Sequence, residues 1–310
     1  MASQRVAELR GIADSEVRIC DFVLMRQMSF GYSKSVVLFF REFPFGMDVM
    51  VANVLCIKWG TRYGCEYVNR LYHGVRQHLA GDVRFICLTE DPSGIDANVE
   101  ILPLPVTPFD EAAFDAKRGG ETWRKIGLFQ PELAGLEGDA LFLDLDVVIT
   151  GPMNEMFNYH PGKFVVIQDW LEKRRAAWIP GRNGRVGNTS VFRFNLKDHS
   201  KVYTTFAADQ RRSLDSFRIE QQFVSHVLRD CTEFWPSQWI QSFKRSCRPM
   251  FPLNLLTPPA EPVGCRVLVF HGRPFPDQAI TGYDGGMFHS TLPARWLETH
   301  WMAYDRSRAA

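Results

Sequence analysis

Two aspartates separated by one residue follow the most apolar run of the sequence. Asp144 and Asp146 lie in the segment LFLDLDVVI, directly after Leu141–Leu143. A continuous apolar run is typical of a strand that is buried on both faces, and charged carboxylates do not stay in a core without partners. Both aspartates are therefore expected at or beyond the end of that strand.

Paired carboxylates of this spacing can bind a divalent cation. Residues i and i+2 of an extended segment point to the same side, so Asp144 and Asp146 can face one ion. Oxygen ligands suit Mn²⁺ or Mg²⁺, whose remaining positions are filled by water and by substrate phosphates. The alternative is a loop that carries two solvated aspartates. The strand before the pair and Gly151-Pro152 after it favour the metal clamp.

His271 is the candidate for a third metal ligand. It follows the short apolar run Val267–Phe270 and precedes Gly272 and Arg273. An imidazole can ligate a metal, and a guanidinium can pair with a diphosphate. A lone histidine is more often a structural residue, so only its combination with the two aspartates predicts a three-ligand site.

Aromatic and polar residues follow the first two predicted strands. Lys58, Trp59 and Tyr63 come after the first strand, where a nucleotide commonly docks in sheets of this kind. The ring of Trp59 or Tyr63 could stack on a base. Glu90 or Asp91, after the second strand, could accept hydrogen bonds from that base.

Further polar side chains are candidates for contacts with phosphates or sugar hydroxyls. Asn188 and Ser190 lie between the glycine-rich run Gly181–Gly187 and a predicted strand, where they either bind hydroxyls or form an ordinary turn. Glu220 and Gln221 open a predicted helix and could direct a carboxylate or an amide into a cleft. The basic candidates, each also compatible with a solvated surface charge, are Lys125, Lys244 and Arg245.

The elements that must position these residues alternate between strand and helix from residue 51 onwards. Such alternation predicts an α/β fold with a mainly parallel sheet that is covered on both faces, and ligands in such sheets bind beyond the carboxyl ends of the strands. Periodicity and turn residues predict strands at Val51–Ile57, Val83–Leu88, Val99–Leu104, Ala140–Ile149, Phe164–Gln168, Thr189–Phe194 and Val267–Phe270, and helices at Glu66–Leu79, Thr122–Phe129 and Gln221–Leu228.

Composition and charge narrow the class of protein. The chain has 310 residues, of which 45% are hydrophobic, and a formal net charge of +1, so no global field predicts a nucleic-acid partner. Its seven cysteines include no CxxC pair and are interpreted as reduced thiols. No leader peptide is recognised, and no run reaches the roughly 18 apolar residues of a spanning helix. A cytoplasmic protein without a transmembrane segment is expected, which is compatible with peripheral membrane association.

The chain divides into three predicted parts. Residues 1–49 show no clear period and are interpreted as an accessory, disordered or mis-started extension. Residues 50–290 carry the alternating pattern and all the candidate site residues. Residues 291–310 are expected to form a C-terminal tail.

Taken together, these motifs resemble those of GT-A glycosyltransferases, most closely the glycogenin and lipopolysaccharide galactosyltransferase-like group, with short matches that suggest a bacterial branch. The resemblance covers residues 50–290 and implies the nucleotide-diphospho-sugar transferase fold, a mainly parallel mixed sheet flanked by helices. It implies that Asp144 and Asp146 form the Asp-x-Asp motif and that His271 is the third metal ligand. The residues that it implies in donor or acceptor binding are Ile57, Lys58, Trp59, Tyr63, Lys125, Asn188 and Ser190, with Glu220-Gln221 as the acidic-Gln pair.

The resemblance implies a metal-dependent hexosyltransferase that uses Mn²⁺ or Mg²⁺ and a nucleotide-sugar donor, expected to be a UDP-sugar. The acceptor would be a hydroxyl of a glycan, of a lipid-linked sugar or of another molecule. The late segment His271-Gly272-Arg273-Pro274 is shorter than that of the group and has Arg273 in place of its lysine. The resemblance also implies retention of configuration, whereas an inverting enzyme would need a base, for which Asp169 or Glu220 could serve.

Two other functions remain open on the same residues. Phosphatases of the haloacid dehalogenase type carry Asp-x-Asp after an apolar strand, and Asp144 would then be the nucleophile. Against that, their motif normally lies on the first strand, whereas residues 51–140 precede this one, and no acidic pair on a late strand completes the site. The other alternative is a non-catalytic domain that binds nucleotide-sugars.

Overall fold

A computed structural model describes residues 51–105, 120–133, 135–179 and 184–309. The predicted extension of residues 1–49 lies outside these ranges. Ten strands are present in the described residues: β1 (Ala52–Lys58), β2 (Val83–Thr89), β3 (Glu100–Leu102), β4 (Asp139–Leu143), β5 (Val147–Ile149), β6 (Phe164–Gln168), β7 (Gly187–Asn195), β8 (Thr232–Phe234), β9 (Ile240–Ser242) and β10 (Val267–Val269).

A seven-stranded mixed sheet is ordered β3-β2-β1-β4-β7-β6-β8. The neighbours β3-β2, β2-β1, β1-β4 and β6-β8 are parallel, whereas β7 is antiparallel to both β4 and β6. The strands β1 and β2 are nearly continuous apolar runs because both of their faces are covered. Along β1, Val54 and Cys56 pack on one face, while Leu55 and Ile57 pack on the other. The predicted α/β class and the mainly parallel mixed sheet are confirmed.

The prediction of one strand over Ala140–Ile149 is wrong. The segment divides into β4 and β5, which belong to different sheets, and Asp144-Leu145-Asp146 forms the turn between them. Strand β5 pairs antiparallel with β10, which also pairs parallel with β9, and these strands form a second sheet of three strands. The two carboxylates explain the break, because a strand buried on both faces cannot accommodate them.

The helices flank both faces of the large sheet. Helices predicted at Glu66–Leu79 and Gln221–Leu228 are confirmed within one residue, and the segment predicted at Thr122–Phe129 is a 3₁₀ helix, Gly120–Phe129. The α-helices are α1 (Cys65–His78), α2 (Asn154–Asn158), α3 (Trp170–Trp178), α4 (Lys201–Ala208), α5 (Gln210–Ser216), α6 (Glu220–Val227), α7 (Pro276–Thr281), α8 (Glu298–Trp301) and α9 (Ala303–Ala309), and a short π-helix spans Phe243–Cys247.

The last helices lie against the first. The guanidinium of Arg70 in α1 pairs with Asp277 at 2.6 Å and with Asp305 at 2.8 Å, and thereby joins α1 to α7 and α9. Trp301 of α8 is buried and donates a hydrogen bond to Asp277 at 2.9 Å. Within the described ranges, every helix is too short or too polar to cross a membrane.

Candidate functional site

A cavity of about 230 Å³ opens beyond the carboxyl ends of β1 and β4, where the sequence places its candidate residues. Its walls come from the segment after β1, the 3₁₀ helix, the turn between β4 and β5, β7 and the segment after β10. We call it the first cavity. The predicted site residues that line it are Ile57, Trp59, Tyr63, Lys125, Asp144, Asp146, Ser190 and His271.

The turn that carries the two aspartates is held by its backbone on both sides. The amide of Asp144 donates to the carbonyl of Ser190 at 2.9 Å, which ties the turn to β7. The carbonyl of Asp146 accepts from the amide of Phe270 at 3.2 Å, which ties it to the end of β10. The turn therefore lies between the two sheets. His271 directly follows Phe270, the backbone partner of Asp146.

Lys125 is the buried counter-charge of Asp144. Its Nζ lies 2.7 Å from Asp144 Oδ1 and donates to the carbonyl of Thr189 at 3.1 Å. Burial alone would lower the pKa of Lys125, but the charges of Asp144 and Glu220 outweigh burial and raise it. The ammonium group is thus fixed beneath the cavity with its positive charge retained.

Among the described residues, no cation lies within ion-pair distance of Asp146. Its Oδ2 accepts a hydrogen bond from the hydroxyl of Tyr63 at 3.0 Å. Burial, and next the charge of Asp144, raise the pKa of Asp146 to about 7. Burial and Asp146 also raise the pKa of the Tyr63 phenol, which therefore stays protonated and keeps donating. The cavity thus holds a carboxylate whose charge is only partly compensated, which is a site that attracts a cation.

His271 could act as a neutral ligand. Burial, and next the charges of Lys244 and Arg245, lower the pKa of His271 to about 4, so the ring is uncharged at neutral pH. Its Nε2 is buried and has no hydrogen-bond partner among the described residues. The ring stands edge-on to Trp170, with 4.6 Å between centroids, and its carbonyl accepts a hydrogen bond from Lys244 Nζ.

These residues fit a divalent cation by their chemistry. Two carboxylates and a neutral imidazole with a free nitrogen line one cavity, and the imidazole is the kind of buried, unpartnered group that a metal satisfies. Over the described ranges, however, no three His, Cys, Asp or Glu side chains converge closely enough to hold an ion as they stand. Asp144 is turned to Lys125 and Asp146 to Tyr63, so the predicted three-ligand set would need these contacts to be exchanged.

A second cavity of about 460 Å³ adjoins the first, and His271 lines both. Of the other predicted site residues, Asp169, Asn188, Lys244 and Arg245 line this second cavity. Asp169 caps α3: its Oδ1 accepts from the amides of Leu171 at 2.9 Å and Glu172 at 2.8 Å. The capping interaction fixes the carboxylate at the wall of the cavity.

Several predicted site residues line neither cavity. The ammonium of Lys58 is buried and pairs with Asp91 at 3.4 Å, beside the carboxyl ends of β1 and β2. Glu220 is buried behind Lys125 and accepts a hydrogen bond from the hydroxyl of Thr189. Gln221 donates to Asp169 at 3.4 Å and so supports that carboxylate indirectly. Arg273 is exposed to solvent.

Other residues line the cavities although the sequence had not singled them out. In the first cavity, Arg62 covers the ring of Tyr63, with 5.4 Å from its guanidinium carbon to the ring centroid. In the second, Arg248 lies close to the predicted Lys244 and Arg245, and the basic run KRSCR could have suggested it. Trp170 and His289 gave no local signal. The remaining members of this kind are Glu121, Thr122, Leu145, Phe270 and Gly272 in the first cavity and Leu171 in the second.

No protein-family model matches the sequence, and no curated protein matches it. Solved structures do match the fold. An active-site mutant of LgtC, a galactosyltransferase, matches with a TM-score of 0.50 and 14% identity over 72% of this chain and 89% of that chain. The apo form of the glycosyltransferase GlyE from Streptococcus pneumoniae TIGR4 matches with a TM-score of 0.50 and 14% identity over 82% and 60%. At these identities the likeness concerns the fold alone: the chain has an α/β fold of the GT-A type.

Proposed function

We propose that this protein is a metal-dependent glycosyltransferase that moves a sugar from a nucleotide-sugar, a UDP-sugar, to an acceptor hydroxyl. One observation carries the proposal: Asp144, Asp146 and His271 line a single cavity together with the aromatic side chain of Trp59. This combines a donor set for a divalent cation with a stacking surface for a base at the carboxyl ends of β1 and β4. Ligands of α/β sheets bind at such ends.

In this proposal the nucleoside lies against the segment after β1. Trp59 is partly buried and supplies a stacking surface, and Ile57 forms the apolar floor beside it. Tyr63 contributes less to stacking because its hydroxyl is engaged by Asp146 and its ring is covered by Arg62. The diphosphate would then extend towards the turn between β4 and β5, where the carboxylates lie.

The metal, Mn²⁺ or Mg²⁺, would be held by Asp144, Asp146 and His271 and would supply Lewis-acid stabilisation of the departing diphosphate. Lys125 contacts Asp144, and Lys244 contacts the backbone of His271, so both would keep positive charge near the bond that breaks. Ser190, tied to Asp144 through the backbone, and Asn188 in the adjoining cavity would bind sugar hydroxyls.

The acceptor would enter the second cavity. Asp169 is the predicted carboxylate that lines this cavity, whereas Glu220 is buried and bonded to Thr189. If a base takes the proton of the acceptor hydroxyl, Asp169 is therefore the better placed of the two. Gln221 would assist by holding Asp169 rather than by touching the sugar.

A thermal-shift panel tests the proposal. The full chain is heated with UDP, with Mn²⁺, with both, and with both plus excess EDTA. At a concentration near 100 times Kd, a ligand stabilises the folded state by about 2.7 kcal/mol, which shifts Tm by several degrees. We expect such a shift from UDP only when Mn²⁺ is present.

The same panel separates the alternatives. Stabilisation by beryllium fluoride but not by UDP would support the haloacid dehalogenase hypothesis, in which Asp144 attacks a phosphate. Binding of UDP without turnover of any UDP-sugar would support a non-catalytic binding domain. Absence of any shift with UDP and Mn²⁺ would remove the basis of the proposal.

Replacing Trp59 with alanine is expected to weaken UDP binding about tenfold, because a base stacked on an aromatic ring is worth about 1–3 kcal/mol. The measurement is a titration of UDP in saturating Mn²⁺. Trp178→Ala is the matched control, since Trp178 is 82% exposed and lines neither cavity. If Trp59→Ala and Trp178→Ala bind UDP with equal affinity, the base of UDP lies on another surface.

A further inference from the structure

The second cavity carries a concentration of positive charge. Lys244, Arg245 and Arg248 line it together, and among the described residues none of them has a carboxylate within ion-pair distance. Two of them donate hydrogen bonds to carbonyl groups: Lys244 donates to His271, and Arg248 donates to His289 at 2.9 Å. Each cation can therefore still receive an anion.

The fold holds these like charges together against their repulsion. Three cations line one cavity, and burial lowers the pKa of Arg248. Asp169 is the carboxylate of the cavity, but its oxygens accept from the helix amides and from Gln221. A bound anion would relieve the repulsion and would gain charge-assisted hydrogen bonds.

Exposed apolar side chains lie close in sequence to Arg248 and His289, two residues that line this cavity. We call Met250, Phe251, Met287 and Phe288 the apolar ridge; they are 86%, 43%, 57% and 62% exposed. Phe251 and Phe288 contact each other, with 5.0 Å between ring centroids. Exposed apolar side chains that lie together mark a binding surface for apolar groups.

The ridge is anchored to the rim of the cavity. The hydrogen bond from Arg248 to the carbonyl of His289 joins two residues that line the cavity, and Met250 and Phe288 stand within two residues of them in sequence. Asn254 ties the two halves of the ridge further, since its Nδ2 donates to the carbonyls of Met287 at 3.1 Å and Ser290 at 3.0 Å. The segments that carry the apolar ridge are thus joined to each other and to two residues of the cationic pocket.

We propose that the acceptor is an amphiphile with an anionic head group of the phosphate class. Arg245 and Arg248 bind the head group, and the hydrocarbon part lies on the apolar ridge. The inference rests on the proposed function, because only the shared wall at His271 makes the second cavity an acceptor site. A cationic pocket that adjoins exposed apolar side chains matches both halves of such a molecule at once.

The transfer balances in the following way. The oxygen of an acceptor hydroxyl near the head group forms the new bond to the anomeric carbon of the donor. The bond from that carbon to the diphosphate oxygen breaks, and the nucleoside diphosphate leaves with the electron pair. The hydroxyl proton passes to a base, for which Asp169 is the carboxylate that lines the cavity.

Variants of Arg245 and Arg248 distinguish binding of the acceptor from binding of the donor. Lys244 donates to the backbone of His271 and so lies at the boundary between the cavities, where it can serve the diphosphate. Arg245 and Arg248 line only the second cavity, as Lys244 does, but Arg248 donates to His289 rather than to His271. Substitutions at Arg245 or Arg248 should therefore weaken binding of the acceptor and leave binding of the donor unaffected.

Calorimetric titration of the full chain, saturated with UDP and Mn²⁺, tests the inference. The probes are decyl phosphate, decyl glucoside and inorganic phosphate, each below any micelle-forming concentration. We expect decyl phosphate to bind at least about tenfold more tightly than either of the others, because only it engages both surfaces. Equal binding of decyl phosphate and decyl glucoside would overturn the anionic head group.

Matched variants assign the contacts. Arg245→Gln and Arg248→Gln are each expected to weaken binding of decyl phosphate about tenfold, while the affinity for UDP stays within about twofold. Arg245→Lys keeps the positive charge and should retain most of the affinity for decyl phosphate. Phe288→Ser should weaken binding of decyl phosphate but leave binding of inorganic phosphate unchanged. Arg229→Gln is the control, since Arg229 is exposed and pairs with Asp230. Unchanged affinities in both glutamine variants would overturn the assignment.

Other outcomes would identify a different occupant. If inorganic phosphate binds as tightly as decyl phosphate and Phe288→Ser has no effect, the cavity takes a free phosphate and the amphiphile is excluded. A dimer that Phe288→Ser dissociates would assign the ridge to a second copy of the chain and overturn the proposal. If the wild-type protein does not bind UDP, the proposed function is contradicted. A titration of decyl phosphate without UDP then still measures whether the second cavity binds the amphiphile.

Discussion

Asp146→Asn is expected to abolish metal-dependent turnover of a UDP-sugar and, at the same time, to stabilise the protein in EDTA. The activity loss follows from the proposed metal set, because the amide is a weaker ligand for Mn²⁺ than a carboxylate. Removing one electrostatic stabiliser of a departing group lowers kcat by about 100-fold or more. The shape and the hydrogen bond from Tyr63 are retained, since the amide oxygen can still accept it.

The gain in stability follows from the raised pKa of Asp146, about 7 in the folded protein against an ordinary 3.8. Below about pH 4 the carboxyl is protonated in both states and the variant gains nothing. Between about pH 4 and pH 7 the unfolded chain has lost the proton and the folded chain has not, so wild-type stability falls as pH rises. Above pH 7 the folded wild type carries a buried charge, whereas the amide of the variant is neutral at every pH. We expect an advantage for the variant on the order of 2 kcal/mol there, or about 5 °C in Tm.

The measurement is Tm of both proteins in EDTA from about pH 4.5 to pH 8, with donor hydrolysis in Mn²⁺ at about pH 8. Addition of Mn²⁺ should raise Tm of the wild type and leave that of the variant nearly unchanged. Asp230→Asn is the control, because Asp230 is 80% exposed at its side chain and carries no buried charge. A difference in Tm that does not depend on pH would refute the raised pKa of Asp146. Hydrolysis that survives the substitution would refute the metal assignment.

The strands that position the site could be predicted because they are buried on both faces. Continuous apolar runs predict β6 at its observed bounds, and β1 and β2 within one residue. The aspartate pair is recognisable for the same reason, since charges stand out against such a run. The turn at Asp144-Leu145-Asp146 could not be predicted, because the apolar residues on its two sides resemble one strand although they serve two sheets.

Much of the second cavity could not be predicted. Helix α3 has no buried residue, so it shows no apolar period that would reveal it, and its cap Asp169 gave no structural signal. The strands β8 and β9 have three residues each, too few to establish an alternation. Trp170 and His289 both line this cavity only because the chain returns to it from distant segments. Local sequence does not contain that information.

Lys125→Met is expected to destabilise the protein by about 3 kcal/mol and to abolish turnover. The substitution leaves Asp144 and Glu220 without their buried counter-charge and removes a donor from the carbonyl of Thr189. Breaking a buried ion pair by removing one partner costs about 3–5 kcal/mol, because the other charge stays behind. The measurement is the free energy of unfolding in urea, with Lys163→Met as the control at an exposed lysine.

The same variant distinguishes a structural lysine from a neighbour of the metal. If Asp144 is a ligand, Mn²⁺ restores positive charge beside it in the methionine variant, so the difference from wild type should narrow by about 1 kcal/mol or more when the metal is added. Glu220→Gln in the same chain should also recover part of the loss, because one uncompensated charge is removed. If the loss of unfolding free energy is identical with and without Mn²⁺, Asp144 pairs with Lys125 and does not bind the metal. The turn between the two sheets would then be a structural ion pair rather than half of a metal clamp.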